Sequence, residues 1–202
     1  MERALHEAFG IAEISGDIPA AGRTDRAITH DLLREHGIEP TSEARQRFQA
    51  AYFRHLPQVL ATLDGTVLPG IRQLLEVLSQ RPDVELGLLT GNFREAAWMK
   101  LSQYRLDSHF AFGGFGDEHH DRDDVARVAW AETERHLART PDPQRVWVIG
   151  DTPSDVKCGR AIGAKVVAVA TGIFTRQELA PCAADLLVDD FSDPELFLRE
   201  LR

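Results

Sequence analysis

The sequence predicts an α/β fold in which a small helical domain precedes a doubly wound parallel sheet. Three observations predict it. Before Pro69, apolar residues recur at helical spacing and no convincing strand is found. After Pro69, short strand-like runs alternate with helix-like runs. The strand-like runs are apolar throughout, as is typical of parallel strands covered on both faces. We therefore expect a helical domain over 1–67 and an α/β core domain over 68–202.

Three helices are expected in the first domain, over 2–9, 25–36 and 42–60. Each carries its apolar residues on one face, and Gly37 is a typical stop signal after the second helix. In the second domain, strands are expected over 84–89, 110–112, 146–149, 165–170 and 185–188. Helices are expected there over 93–106, 124–137, 154–162, 176–179 and 194–201. This alternation predicts βαβ units.

Composition excludes some functions. The formal net charge is −9 and no Lys/Arg cluster is found, which argues against a nucleic-acid partner. No apolar run reaches the roughly 18 residues that a membrane span needs, and the N-terminus does not resemble a signal peptide. Cys158 and Cys182 lie in no C-x-x-C pair, so both are expected to be reduced. We expect a cytoplasmic protein without a membrane partner, either a monomer or a homodimer.

Polar residues follow two of the predicted strands, at the edge of the sheet where such folds bind ligands. Thr90, Gly91 and Asn92 follow the strand over 84–89. Gly91 allows backbone N–H groups to approach an anion, and the next helix begins here, so this turn could hold phosphate. The alternative interpretation is an ordinary strand–helix turn in which Thr90 or Asn92 caps the helix.

Two carboxylates, Asp151 and Asp155, follow the strand over 146–149. Carboxylates gathered at a strand end favour a Mg²⁺ site. The alternative is that Asp151 or Ser154 simply caps the next helix, but one cap needs one Asp and this turn has two. The acids and histidines over 119–124 fit no zinc spacing, and acids before a helix complement its dipole. Arg122 follows a short strand, so it could reach into the same cleft.

In this order, the residues resemble the haloacid dehalogenase (HAD) superfamily, and the resemblance covers nearly the whole chain. It implies a Rossmann-type core with a helical cap. It also implies that Thr90 holds phosphate, that Asp151 binds Mg²⁺ and that Asp155 supports the site. Arg122 falls where the third motif of the family neutralises the phosphate, with Arg127 as the other candidate.

The helical domain resembles the cap of members similar to phosphoglycolate phosphatase. The loop with Arg23, Thr24 and Asp25 looks like the cap loop that covers the site and selects the substrate in those relatives. A second interpretation, compatible with the first, is that Thr24 and Asp25 start a helix.

One family motif is missing from the sequence. The first motif, Asp-x-Asp-x-Thr, supplies the nucleophile at the end of the first, central strand, but this chain begins inside the helix that should follow it. Asp64 lies in a partial match that follows no strand, and the pair Asp189 and Asp190 has the wrong spacing. We expect that the first central strand is missing, that the true start lies upstream and that the chain as written is nearly inert.

The resemblance implies a Mg²⁺-dependent phosphatase that acts on a small phosphorylated metabolite, with phosphoglycolate as the first candidate. One alternative is a catalytically inactive HAD-like binding protein. Another is a dehalogenase or a phosphonatase-type hydrolase. Dehalogenation needs no metal, whereas Asp151 and Asp155 are present. The imine route of phosphonate cleavage needs a cap lysine, and no lysine precedes Lys100.

Overall fold

A computed structural model describes residues 1–201 of the chain. The helices are α1 Glu2–Phe9, α2 Asp25–Glu35, α3 Ser42–Leu60, α4 Ile71–Ser79, α5 Arg94–Gln103, α6 Arg122–Leu137, α7 Pro153–Ala161, α8 Arg176–Leu179 and α9 Glu195–Leu198. The strands are β1 Gly87–Leu89, β2 Phe112–Gly114, β3 Trp147–Gly150, β4 Lys165–Val169 and β5 Leu186–Val188. The predicted α/β class with parallel strands is confirmed. None of the described helices is long and apolar enough to cross a membrane.

Helices α1 to α3 pack around one apolar cluster. Leu5, Leu33 and Phe48 are fully buried in it, and Phe93 and Ala96 from the start of α5 belong to the same cluster. Helix α5 therefore packs against the helical unit as well as connecting the strands. Helices α2 and α3 begin at threonine caps, since the side chains of Thr24 and Thr41 accept hydrogen bonds from N–H groups of the first turn.

The strands form two parallel sheets. Strand β1 pairs with β2 in one sheet, and β3, β4 and β5 form the other in that order. Helix α6 packs against β1 and β2 and also against α7, so it joins the two sheets. Within residues 1–201, no strand pairs with the second edge of β1 or of β3. The missing central strand remains a prediction.

The first two strands differ from the sequence prediction. Val84 lies in a turn after Arg81, so β1 begins only at Gly87, although the Val84 side chain still packs on the core. Strand β2 contains Gly113 and Gly114, residues that strands usually avoid. A side chain at Gly114 would collide with α6, because its Cβ would lie 2.8 Å from the Ala129 Cβ. Glycine is therefore required here by the close packing of α6 on β2, a contact that strand propensity does not predict.

Helix α4 was not predicted. Its buried residues Leu74 and Leu78 pack with β4 and β5 in one cluster. The helix begins after Gly70, which has a φ of 74° and lies against the backbone of Phe191, so a side chain would not fit there.

Candidate active site

The turn after β1 brings Thr90, Gly91 and Asn92 to the end of the strand. The Thr90 N–H donates to Gly114 O (3.1 Å), which extends the pairing with β2 by one residue. The Thr90 hydroxyl accepts a hydrogen bond from the Asn92 N–H (3.1 Å). Thr90 thus shapes this turn, which leads into α5, and its hydroxyl lies at the strand end where the sequence predicted phosphate binding.

The turn after β3 is organised by Asp155, whose residue is only 7% exposed. One oxygen of this carboxylate accepts from the Thr152 N–H (3.0 Å), the Thr152 hydroxyl (2.8 Å) and the Asp151 N–H (3.2 Å). Thr152 in return accepts from the Asp155 N–H, which completes a capping box at the start of α7. Thr152 is therefore the N-cap of α7 and Asp155 is its capping-box partner, so the alternative in which Asp151 or Ser154 caps this helix is wrong.

Asp151 lies half-buried at the same strand end. Burial raises the pKa of its carboxyl above the usual value, and the negative charge of Asp155 raises it further. A Cβ at Gly172, in the turn after β4, would lie 2.8 Å from the Asp151 Cγ. The absence of a side chain at Gly172 therefore leaves space for the Asp151 carboxylate.

Arg122 connects the two turns. It is the first residue of α6, and its Nη2 forms an ion pair with the second oxygen of Asp155. A Cβ at Gly91 would lie 3.1 Å from its Nη1. The Arg122 and Asp155 side chains are only 13% and 9% exposed, so this pair is shielded from water. The turn after β1, the start of α6 and the turn after β3 therefore meet around one guanidinium group.

Arg127, the other candidate for this role, lies elsewhere. Its side chain is 59% exposed and pairs with Asp124 on the surface of α6. The partial motif at Asp64 is also exposed, in the loop that leaves the helical unit. Asp189 is exposed and pairs with Arg176.

The loop before α2 lies over both turns. A Cβ at Gly22 would lie 2.7 Å from the Ser154 Oγ and 3.1 Å from the Thr152 Oγ1, so the loop contacts the start of α7. Two residues later the buried Thr24 donates to His120 O (3.3 Å). The Asp25 N–H then donates to Gly91 O (2.6 Å). The loop that was expected to cover the site therefore contacts both strand ends.

Arg23 and Asp25 have different surroundings. Arg23 pairs with Asp31 of α2 (2.5 Å) and donates to Pro19 O (3.0 Å). It lines a cavity of about 320 Å³ together with Arg122, Ser154 and Lys157. Thr90 and Asp151 are not among the described residues that line this cavity. The cavity lies beside the two strand ends, since Arg122 and Ser154 line it. Asp25 is buried, and its carboxylate faces the start of α5 rather than the cavity.

The donors at the end of β3 suit Mg²⁺ in part. Within residues 1–201, no group of three or more His, Cys, Asp or Glu side chains could hold a metal ion. Magnesium in phosphoryl-transfer sites is usually held by one or two carboxylates, with waters and substrate phosphate as the other ligands. Asp151 fits that description. Asp155 already receives protein donors on both oxygens, so it suits a supporting role better.

Several residues around the site were not predicted from the sequence. Lys100 donates to the Asn92 side chain (2.9 Å), and Asp117 accepts from the Arg94 N–H (2.9 Å). A usable signal exists for Lys100, because it follows Phe93 by seven residues and shares the buried face of α5 with Ala96 and Ala97. A lysine on an apolar face indicates a buried partner. Asp117 and Gly172 lie in loops and give no such signal.

Comparisons with known proteins agree with this architecture. The model of the haloacid dehalogenase-like hydrolase family matches residues 5–160, and a HAD-hydrolase-like model matches residues 127–194. No curated protein sequence matches the chain.

Among solved structures, a hydrolase from Pseudomonas syringae is similar with a TM-score of 0.67 and 22% identity, over 99% of this chain and 89% of that one. A predicted phosphoglycolate phosphatase from Haemophilus somnus 129pt is similar with a TM-score of 0.67 and 15% identity, over 98% of this chain and 88% of that one. A β-phosphoglucomutase from Clostridium difficile is similar with a TM-score of 0.71 and 14% identity, over 98% of this chain and 87% of that one. Identities this low show the fold alone. The family model spans most of the chain, and the chain therefore belongs to the haloacid dehalogenase-like hydrolase family.

Proposed function

We propose that this chain carries the phosphate- and Mg²⁺-binding parts of a phosphomonoester hydrolase that acts on a small phosphorylated metabolite. The observation that carries the proposal is the guanidinium of Arg122, which lies between Gly91 and Asp155 and so joins the two predicted strand-end motifs. A shielded cation beside a glycine turn is suited to an anionic group, because charge interactions are stronger where water is excluded.

The residues of the chain would divide the work as follows. The Thr90 hydroxyl and the turn at Gly91 and Asn92 would bind phosphate oxygens. Arg122 would neutralise charge that develops during transfer. Asp155 would orient Arg122 and, through its N–H contacts, the turn that carries Asp151.

Asp151 would hold Mg²⁺, which supplies charge neutralisation at phosphate oxygens when bound. The attacking carboxylate would come from a segment N-terminal to Met1, as the family's first motif implies. Support comes from the second edges of β1 and β3, which no strand within residues 1–201 occupies and which could pair with an additional strand.

The substrate is proposed to be small. The cavity beside the strand ends is lined by Arg23, Arg122 and Lys157 together with Asp121 and Asp123. Its volume of about 320 Å³ suits a compact metabolite. One similar structure is described as a predicted phosphoglycolate phosphatase, so phosphoglycolate is the first compound to assay. Another is a β-phosphoglucomutase, so a hexose phosphate belongs in the same panel.

The test is turnover of p-nitrophenyl phosphate by this chain and by a chain extended upstream in frame to include an Asp-x-Asp-x-Thr motif. We expect Mg²⁺-dependent turnover by the extended chain, abolished by chelation and by Asp151→Ala. This chain alone should be slower by about 10⁶-fold, the loss that follows removal of a nucleophile in one well-studied hydrolase.

The control is Asp189→Ala, which removes an exposed carboxylate that pairs with Arg176 and is not among the residues assigned to phosphate or Mg²⁺ binding, so turnover should be unchanged. Turnover by this chain alone would show that its nucleophile lies within residues 1–202. An upstream reading frame that stops before any such motif, together with no turnover, would reject the hydrolase proposal.

A second candidate function is an inactive HAD-like protein that binds phosphate without hydrolysing it. The observation that favours it is the commitment of Asp155 to Arg122 and Thr152, which leaves Asp151 as the freer carboxylate at this strand end. Binding of inorganic phosphate by calorimetry, without turnover by either chain, would support this alternative.

A further inference from the structure

A partly buried polar network joins the helical unit to the turn after β1. One oxygen of Asp25 accepts from the Phe93 N–H (2.9 Å), and the other accepts from Asn92 Nδ2 (3.3 Å). The Asn92 Oδ1 in turn accepts from Lys100 Nζ (2.9 Å). A carboxylate of the helical unit is therefore connected, through one amide side chain, to a lysine of α5. These three residues are called the Asp25–Asn92–Lys100 network.

The burial of Asp25 requires such partners. The residue is only 4% exposed, and a buried carboxylate without partners would be strongly disfavoured. Its pKa is raised by burial, which the Phe93 N–H and Lys100 oppose. Burial lowers the pKa of Lys100, and the charge of Asp25 opposes that shift. Each group thus favours the charged form of the other.

The network also supplies what α5 lacks. The N-cap residue of α5 is Phe93, whose side chain forms no capping hydrogen bond. Asp25, from another segment of the chain, accepts from the Phe93 N–H, which is the contact that the N3 side chain makes with the N-cap N–H in a capping box. The backbone N–H of Asp25 also donates to Gly91 O (2.6 Å). Asp25 therefore forms hydrogen bonds with the backbone of Gly91, with the side chain of Asn92 and with the backbone of Phe93.

We propose that Asp25 and Lys100 are positioning residues that set the geometry of the phosphate-binding turn at Thr90, Gly91 and Asn92. The inference rests on the proposed function, because it assigns the network to a turn that binds phosphate. It gives Asp25 a role different from that of Arg23: Asp25 contacts the turn and Arg23 contacts the cavity. Docking of the helical unit is thereby coupled to the shape of the anion site.

The test compares Lys100→Met, Asp25→Ala and the conservative variant Lys100→Arg in the extended chain described above. The matched control is Lys165→Met, because Lys165 lies at the start of β4, at the opposite end of the strand from the site. Three measurements are made on each variant. They are amide hydrogen exchange at residues 91–93 relative to residues 166–168 of β4, the dissociation constant of inorganic phosphate, and the steady-state kinetics (KM and kcat) of p-nitrophenyl phosphate turnover.

We expect Asp25→Ala and Lys100→Met to speed exchange at 91–93 by about tenfold or more, as the loss of a charge-assisted hydrogen bond implies. Exchange in β4 should change far less. The same variants should weaken phosphate binding by about tenfold and raise KM more than they lower kcat. Lys100→Arg should restore most of the affinity, and Lys165→Met should resemble the wild type.

Unchanged exchange at 91–93 would overturn the inference, as would an equal rise in β4, which would indicate only general destabilisation. Normal phosphate affinity in variants whose turn exchanges faster would overturn it too. Failure of the wild-type protein to bind phosphate would instead count against the proposed function. The two failures are therefore distinguishable.

Discussion

At the scale of single residues, the position of Arg122 depends on where its helix begins. The sequence left Arg122 and Arg127 as alternatives because helix starts are hard to place within a few residues. Helix α6 begins at Arg122, directly after its cap Asp121. Arg127 follows five residues later, about 140° around the helix at 3.6 residues per turn, and it therefore faces solvent. The residue types were evident from the sequence, whereas the choice between them needed the helix start.

Arg122→Ala should destabilise the fold by about 3–5 kcal/mol, because it leaves the shielded Asp155 carboxylate without its counter-charge. Arg127→Ala removes only an exposed ion pair and should change the free energy of unfolding by about 0.5 kcal/mol or less. Urea denaturation of both variants measures the difference. Equal losses would contradict the assignment of Arg122 to the shielded site.

Asp25 also has a position that the sequence alone could predict only in part. Its spacing predicted a helix start, and the resemblance predicted substrate selection. Thr24 is the cap of α2, so the helix start is confirmed. The contacts of Asp25 with Asn92 and Phe93 join residues 67 and 68 positions apart in the chain. Local pattern carries no information about such contacts, and they emerge only when α2 and α5 pack together.

At the scale of elements, the strand that carries the two carboxylates was predicted to within one residue at each end. The expected strand over 146–149 is observed as Trp147–Gly150, and the carboxylates follow it as the sequence indicated. The helix over 176–179 is observed with the expected bounds. Strand β2 was placed two residues too early, because its glycines are selected by contact with α6 rather than by strand propensity.

Two capping boxes of the same design allow an element-scale prediction. Thr152 caps α7 with Asp155, and Thr175 caps α8 with Glu178. Each Thr→Ala substitution should cost about 1 kcal/mol of stability. Only Thr152→Ala should also weaken phosphate binding, because the Thr152 hydroxyl holds the carboxylate that pairs with Arg122.

Urea denaturation and phosphate calorimetry on the two variants check this expectation. Thr175→Ala is the control, since its capping box lies on the exposed helix α8. Equal phosphate affinity in the two variants would argue that the capping box at α7 is purely structural.

At the scale of the whole molecule, stability should depend on pH through Asp25. Its folded-state pKa is raised, chiefly by burial, so the folded protein binds this proton more tightly than the unfolded chain does. Stability should therefore fall as pH rises from the ordinary value of 3.8 through the raised pKa, and then level off. Lys100, Asp117, Tyr52 and the Met1 amino group are the charged or titratable groups that also act on this region.

The measurement is urea denaturation of the wild type and of Asp25→Asn across mildly acidic pH. The difference in free energy of unfolding between the two should shift in favour of Asp25→Asn as pH rises, and then become constant. A difference that does not vary with pH would show that the Asp25 carboxyl titrates as it does in water.

The alternating order of elements was enough to predict the fold class, because parallel strands and crossover helices leave a periodic record in the sequence. The relation between the helical unit and the α/β unit was not predictable in the same way. It depends on Phe93, which the sequence placed in a crossover helix but which packs 6.0 Å from Phe53 and 6.3 Å from Tyr52 between ring centroids.

The position of Phe93 limits how the protein could admit a ligand. A rigid swing of α1 to α3 away from the sheets would withdraw this ring from its aromatic neighbours and expose it, at a cost of about 1.5–3 kcal/mol. A smaller motion confined to residues 19–23, which contain no helix and are exposed at 19–21, would avoid that cost. We therefore expect a ligand to reach the strand ends through a local motion of this loop, while the helical unit and the α/β unit stay packed together.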